Sequence, residues 1–397
     1  MNIHPFAAVR PNAKDAALVA SVPYDVVDTA EARALAAGNP KSFLHVSRPE
    51  IDLPEGTPCA SPEAYAQARK AIDALIADGT LVRDDAPKFY AYRQTMGTHS
   101  QTGIVATFDT KEYLTGILKQ HEKTRKDKED DRTRHIEILG AHTGPAFLTY
   151  RDDPAIDAIV REACRREPLY DFVAPDGIGH TVWEIARGCE CMADELQELF
   201  ARIKTAYIAD GHHRSAAASR YAAAHDFADE SRWFLAVIFP ASQLKILPYN
   251  RLIADLNGLS DADFRARLAE AFTVGRRGER NCRMYFRGEW TDLSWRIPEG
   301  ASVVESLDVS YLQDHLLAPV LGIGDPRTDA RISFMGGIRG DEALAAEVDA
   351  GRAAVAFAME PVTVDEMMAI ADAGAIMPPK STWFEPKLRS GLFVHTV

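Results

Sequence analysis

One segment limits what this chain can fold into more than any other: Ala206-Tyr207-Ile208-Ala209-Asp210-Gly211-His212-His213-Arg214-Ser215-Ala216. A short apolar run ends at Ala209, Asp210-Gly211 demands a tight turn, and an alanine-rich helix begins at about Ser215. The first turn of any helix leaves backbone N–H groups unpaired and turns the positive end of its dipole outward. Gly211 lets a ligand approach the backbone closely, while His212, His213, Arg214 and Ser215 add side-chain donors at the same point. That combination holds a phosphate without a Walker loop. The blander alternative is a plain Asp-Gly turn whose histidines cap a helix.

The remaining pattern predicts a mixed α/β chain of α+β class. Prolines punctuate the first 50 residues, with a helix over 29–37 and a strand over Lys41–Val46. Helical spacing follows at 61–78, then paired strands at 89–92 and 103–108 joined through Gly97-Thr98-His99-Ser100. A long helix is predicted over 112–139, a strand at 147–150, a helix over 154–166, a strand over 178–185 and a helix over 193–203. After the turn at Gly211 come a helix over 215–225 and an apolar strand over 233–239. The rhythm restarts after Pro248-Tyr249-Asn250-Arg251 with a helix over 260–271, strands near 283–286 and 292–296, and a helix over 308–317. With 397 residues, two domains are expected, 1–252 and 253–397.

Composition narrows the function classes. Asp plus Glu number 58 against 45 Lys plus Arg, a net charge of −13, which argues against nucleic acid as a partner. A small anion remains open, because a basic pocket can sit within an acidic whole. The opening Met1-Asn2-Ile3-His4-Pro5-Phe6 has no signal-peptide character, and no apolar run is long enough to span a membrane, so a cytoplasmic protein is expected. Five scattered cysteines include Cys189-x-Cys191, too closely spaced for a structural zinc site, so reduced thiols and no metal ligands are expected.

Two further segments could carry chemistry. From Lys119 to Glu137, thirteen of nineteen residues are charged. On a continuous helix His121, Arg125, Lys128, Arg132 and His135 share a stripe about 80° wide, a plausible wall for a phosphorylated ligand. The alternative is a solvated face laced with i,i+4 pairs. Near the other end, Met377-Pro378-Pro379-Lys380-Ser381-Thr382-Trp383-Phe384-Glu385-Pro386-Lys387 offers Lys380, Ser381 and Thr382 on a proline-stiffened loop, or simply a rigid docking tail. P-loop, dinucleotide and His-Glu-x-x-His motifs are all missing.

Asp210, Gly211, His212 and Arg214 are similar to the box of the ParB/sulfiredoxin-like superfamily in its ParB-like free-serine-kinase form, with His212 and Ala216 departing from the ParB pattern. A second resemblance runs along the whole chain. Pro5-Phe6, Arg10-Pro11, Pro23-Tyr24-Asp25-Val26-Val27, Ser42-Phe43-Leu44-His45-Val46 and His121-Glu122-x-Thr124-Arg125 resemble the uncharacterised family called domain of unknown function 1015. So do Ala209–Arg214 and Met377–Phe384. Members of that family are often labelled ParB- or SpoOJ-like, and many lie near serine-biosynthesis genes. These resemblances imply a ParB/sulfiredoxin-like nucleotide-binding core, a smaller C-terminal α+β domain, and a phosphotransferase using ATP or ADP on a hydroxylated metabolite, free serine first. A non-catalytic nucleotide-binding switch is the alternative. Phosphoryl transfer needs cations, usually Mg²⁺, and a base. Asp210 is the first candidate, with Asp25, Glu50, Glu122 and His213 behind it. Partners would be a nucleotide and a small phosphorylated metabolite.

Overall fold

Strand pairing in the computed structural model, which describes residues 1–185 and 191–397, builds two units. The first comprises Met1–Leu244 together with Pro386–Val397, the second Lys245–Glu385. Cys189 and the side chain of Cys191 lie outside the described residues, while Cys59, Cys164 and Cys282 are free thiols.

In the first unit, β1 (Phe89–Met96) and β2 (His99–Asp109) form the hairpin expected at Gly97, followed by β3 (Leu118–Lys119) and β4 (Ala146–Tyr150). Then come β5 (Tyr170–Val173), β6 (Gly179–Ile185), β7 (Ala206–Asp210) and β8 (Trp233–Pro240). Across the sheet they run β3-β7-β4-β8-β2-β1-β6-β5, with Ile3–His4 added antiparallel to β2. β7 lies parallel to β3 and β8 parallel to β4, while the other pairs are antiparallel, so the sheet is mixed and the class is α+β. β8 is buried from Phe234 to Pro240, the pattern of a strand covered on both faces.

Five main helices surround it: α1 (Pro62–Ala77), α2 (Lys126–Leu139), α3 (Pro154–Ala163), α4 (Cys191–Arg202) and α5 (His212–Ala224). Ile156, Ile159 and Val160 of α3 and Leu196 and Phe200 of α4 close the core over Ile104, Leu148, Ile208 and Ile238. Small residues on α5 allow close packing on α2, where Ala217 and Tyr221 meet Ile136. Arg220 of α5 also reaches Glu129 at 3.3 Å and Asp130 at 2.7 Å. The last residues return to this unit: His395–Thr396 pairs antiparallel with Ala141–His142, and Val394 packs with Val9, Phe43, Val46 and Ile72.

Three expectations need correction. The helix predicted over 112–139 is broken into Thr110–Thr115, β3 and α2. Gly116 closes the first piece in a left-handed conformation (φ 77°), and Leu118–Lys119 is claimed by the sheet edge beside β7. The strand predicted over 41–46 is instead a helical turn, Leu44–Ser47, closed by Pro49. Phe43, Leu44 and Val46 are all buried there, and a short apolar run does not distinguish the two states. Finally α5 begins at His212 rather than near Ser215, so both histidines of the turn belong to its first turn.

The second unit has a six-stranded antiparallel sheet ordered Thr273–Val274, Glu289–Trp295, Arg280–Phe286, Val355–Met359, Tyr249–Ile253, Ile332–Gly336. Helices Asp261–Ala271, Gly340–Asp349 and Val364–Asp372 accompany it. Among the described residues no helix is long and apolar enough to cross a membrane.

Candidate functional site

β7 ends on Asp210, and Gly211 (φ 88°, ψ 32°) turns the chain straight into α5. That left-handed backbone suits glycine, and a Cβ there would also lie 3.0 Å from the Arg214 guanidinium carbon. Asp210 accepts the Gly211 N–H at 2.7 Å and a hydrogen bond from Lys387 Nζ at 3.0 Å. Arg214 donates to the Pro145 carbonyl and stands 3.9 Å from Asp210 and 4.0 Å from Asp25. Burial alone would raise the Asp210 carboxyl. Lys387, Arg214 and the Gly211 N–H outweigh it and hold the group well below the usual carboxylate range. An acid that strong is a weak proton acceptor. Its charge instead anchors two cations at the start of α5.

Arg214 also lines a cavity of about 40 Å³ with Tyr24, Arg132, His135, Thr143 and Ser390. Arg132 and His135 come from the buried face of α2. The Arg132 guanidinium sits 4.0 Å from the Tyr24 ring centre and pairs with Asp131 at 2.7 Å, which accepts the Tyr65 hydroxyl at 2.8 Å. Burial, then Arg132, pushes His135 down to about 3, so it is neutral and the cavity's charge comes from the two arginines. Arg214 Nε is buried with no hydrogen-bond partner, an N–H available to an outside acceptor. At roughly 10–15 Å³ for each water, the space admits a phosphate-sized group.

The cradle residues selected from sequence are therefore not equivalent in position. His213 is half-buried and its Nε2 accepts the Arg125 N–H at 3.1 Å. Ser215 is buried in the first turn of α5 with its hydroxyl lacking a hydrogen-bond partner. Asp25 is the exposed carboxylate next to Arg214, and Glu50 is buried against Arg48 at 2.8 Å. The cationic stripe is only half realised: Arg132 and His135 line the cavity, whereas the Arg125 side chain faces solvent and pairs with Asp127 at 2.9 Å. His121 and Glu122 precede α2 on a loop, beside His212. Their ring and carboxylate atoms and those of His212 lie within 4.8 Å of one another. Burial pushes His121 down to about 4, and burial with His121 as neighbour takes His212 lower still, so both imidazoles are neutral. Lys380, Ser381 and Thr382 belong to the second unit, where Lys380 Nζ lies 5.2 Å from the Tyr249 ring centre. Lys387, Tyr24 and Ser390 escaped the sequence reading. Lys387 stood in the tail segment already singled out, but no local pattern distinguishes it from Lys380.

Among curated proteins none matches this sequence significantly. Distant likenesses exist among solved structures. SbnI from Staphylococcus aureus, truncated at its C-terminus, is 12% identical over 74% of this chain and 87% of its own, with a TM-score of 0.43. A mutant free serine kinase in complex with AMP is 14% identical over 72% and 92%, with a TM-score of 0.37. A conserved hypothetical protein from Pyrococcus furiosus is 15% identical over 74% and 95%, with a TM-score of 0.36. Likenesses this distant do not carry an activity from one protein to another. The family model for proteins of unknown function named DUF1015 matches residues 3–310, and the chain belongs to that family.

Proposed function

We propose that this protein is a nucleotide-dependent phosphotransferase, a small-molecule kinase using ATP or ADP on a hydroxylated metabolite such as free serine. The phosphate- and nucleotide-binding part is assigned to residues 1–252, built on a ParB/sulfiredoxin-like core. The C-terminal α+β domain is assigned to begin near residue 253, and the residues after Glu385, which return to the first unit, supply Lys387. One observation carries the reading: in a chain of net charge −13, Arg132 and Arg214 converge on a phosphate-sized cavity at the first turn of a helix.

In this reading the amides around Gly211 and the Arg214 guanidinium receive phosphate oxygens, and Arg132 adds charge from the other wall. Lys387, held by Asp210, completes the positive rim. Asp25 and His213 are the residues for the hydroxyl proton, because Asp210 is too strong an acid. Mg²⁺ takes oxygen ligands and commonly reaches such sites on the nucleotide's own phosphates. The carboxylates next to Arg214, Asp25 and Asp210, are the groups that would hold it. The metal would neutralise charge on the transferring group.

The test pairs calorimetric nucleotide affinity with metabolite-dependent phosphate transfer. Arg214→Ala is expected to weaken nucleotide binding by about 1.5–3 kcal/mol, roughly ten- to a hundredfold. Unchanged affinity in a folded variant would sink the reading. The second reading, a nucleotide-binding switch without turnover, is favoured by Asp210 being so firmly ionised and paired. A protein that binds nucleotide yet transfers no phosphate across a broad panel of hydroxylated metabolites decides for the switch.

A further inference from the structure

The cluster formed by His121, Glu122 and His212 is not explained by phosphate binding. Two imidazoles and a carboxylate are lone-pair donors and offer an anion little. They have the composition of a metal-ligand set. We propose that His121, Glu122 and His212 bind one divalent transition-metal ion, a site separate from any Mg²⁺ carried by a nucleotide and not dependent on the phosphotransferase reading.

Geometry carries the proposal. The three ligand atoms already lie within 4.8 Å of one another, although His121 and Glu122 come from the loop after β3 and His212 opens α5. Tetrahedral zinc with bonds of about 2.0–2.1 Å spaces its donors by about 3.4 Å, so side-chain rotations of little more than an ångström close the set. The two rings stand edge to face, 88° apart with centres at 4.5 Å, rather than stacked. The Ile208 carbonyl accepts a ring N–H of His121. Metal-binding histidines use this arrangement to fix the tautomer and direct the other nitrogen at the ion.

A second observation points to a ligand. His212 is 5% exposed, and its Nε2 is buried with no hydrogen-bond partner. Folded proteins rarely leave such a nitrogen unsatisfied, and an imidazole lone pair is satisfied by a proton donor or a metal ion. The donor types choose the metal. Mg²⁺ and Ca²⁺ demand oxygen, whereas two imidazoles with a carboxylate suit Zn²⁺, Mn²⁺ or Co²⁺. Three protein ligands also leave at least one position for water or a substrate oxygen, the composition of catalytic rather than structural zinc sites.

The experiment uses the full chain, stripped with chelator, and reads metal binding rather than turnover. Titration with Co²⁺ is followed by its visible ligand-field bands, and with Zn²⁺ by calorimetry. One ion per chain is expected, with Mg²⁺ failing to displace Co²⁺. His212→Ala, His121→Ala and Glu122→Gln should each weaken Zn²⁺ binding at least about ten- to a hundredfold. His315→Ala, an exposed histidine of the second unit, should change nothing. No Co²⁺ bands in the parent protein, or unaltered Zn²⁺ affinity in His212→Ala and Glu122→Gln with native circular dichroism, would overturn the proposal. Either result leaves the Arg214 test of nucleotide binding untouched.

Discussion

Gly211 does two jobs that a substitution can separate. Its φ of 88° would strain any side chain, and a Cβ would press on the Arg214 guanidinium at 3.0 Å. Gly116 has a similar φ of 77° but open space around it. Both Gly211→Ala and Gly116→Ala are expected to lose about 1–2 kcal/mol of stability in urea titrations from the left-handed backbone. Under the proposed function only Gly211→Ala should also weaken anion binding, because only there does the new methyl meet the Arg214 guanidinium. Equal losses of affinity in the two variants would contradict the placement of Arg214 in the site. The importance of Gly211 was legible from sequence because an Asp-Gly pair between an apolar strand and an alanine-rich helix has few other uses. Lys387 was not legible, since it reaches Asp210 from the far end of the chain and carries no local signal.

Elements with strong periodicity emerged close to expectation: α1 with Ser61 as cap, the hairpin of β1 and β2, β7 and β8. The failure at 112–139 is instructive. Charge patterning continued smoothly across Gly116, yet charges say little about where a backbone turns, and two residues there pair with β7. The same break takes His121 out of the expected stripe and sets it, with Glu122, beside His212. The tail after Pro386 shows the opposite case, a segment of little periodicity held by many partners. Val394 exchanges backbone hydrogen bonds with Val9 at 2.9 Å, Ser390 pairs with Ser21, and the Lys387 carbonyl accepts Gln94 Nε2 at 2.8 Å. Lys387→Met should leave these strand contacts intact but remove the partner of Asp210. The expected cost is on the order of 1–2 kcal/mol, with reduced anion affinity. Removing residues 386–397 should instead abolish cooperative unfolding of the first unit, measured by far-ultraviolet circular dichroism in urea.

Across the whole molecule, the two units should respond to acid with opposite signs. Burial pushes His121 and His395 down to about 4 and His135, His142 and His180 to about 3, and all five are in the first unit. In the unfolded chain these groups take up protons near 6.5, so below that pH the unfolded state binds more of them. Stability of the first unit therefore falls with pH, by up to about 1.4 kcal/mol per pH unit for each histidine. In the second unit burial raises the Asp308 carboxyl to about 7, partly opposed by Arg280. Between that value and the ordinary carboxylate range the folded form holds the extra proton, so acidification stabilises this unit. Calorimetric scans at pH 7 and pH 5 should show the first unit melting earlier and the second later, with Asp308→Asn removing the second shift. A common downward shift in both units would contradict the assignment. The interruption of the first unit by Lys245–Glu385 also has a consequence in time. On the ribosome, Asp210 and Arg214 emerge well before Lys387, and the intervening stretch takes on the order of ten to thirty seconds to synthesise at about 5–20 residues per second. Until then β7 and α5 await their lysine, and the edge formed by Ala141–His142 is open to any passing strand. A nascent chain of this protein thus carries β7 and α5 without their C-terminal partner until the residues around Lys387 have been made.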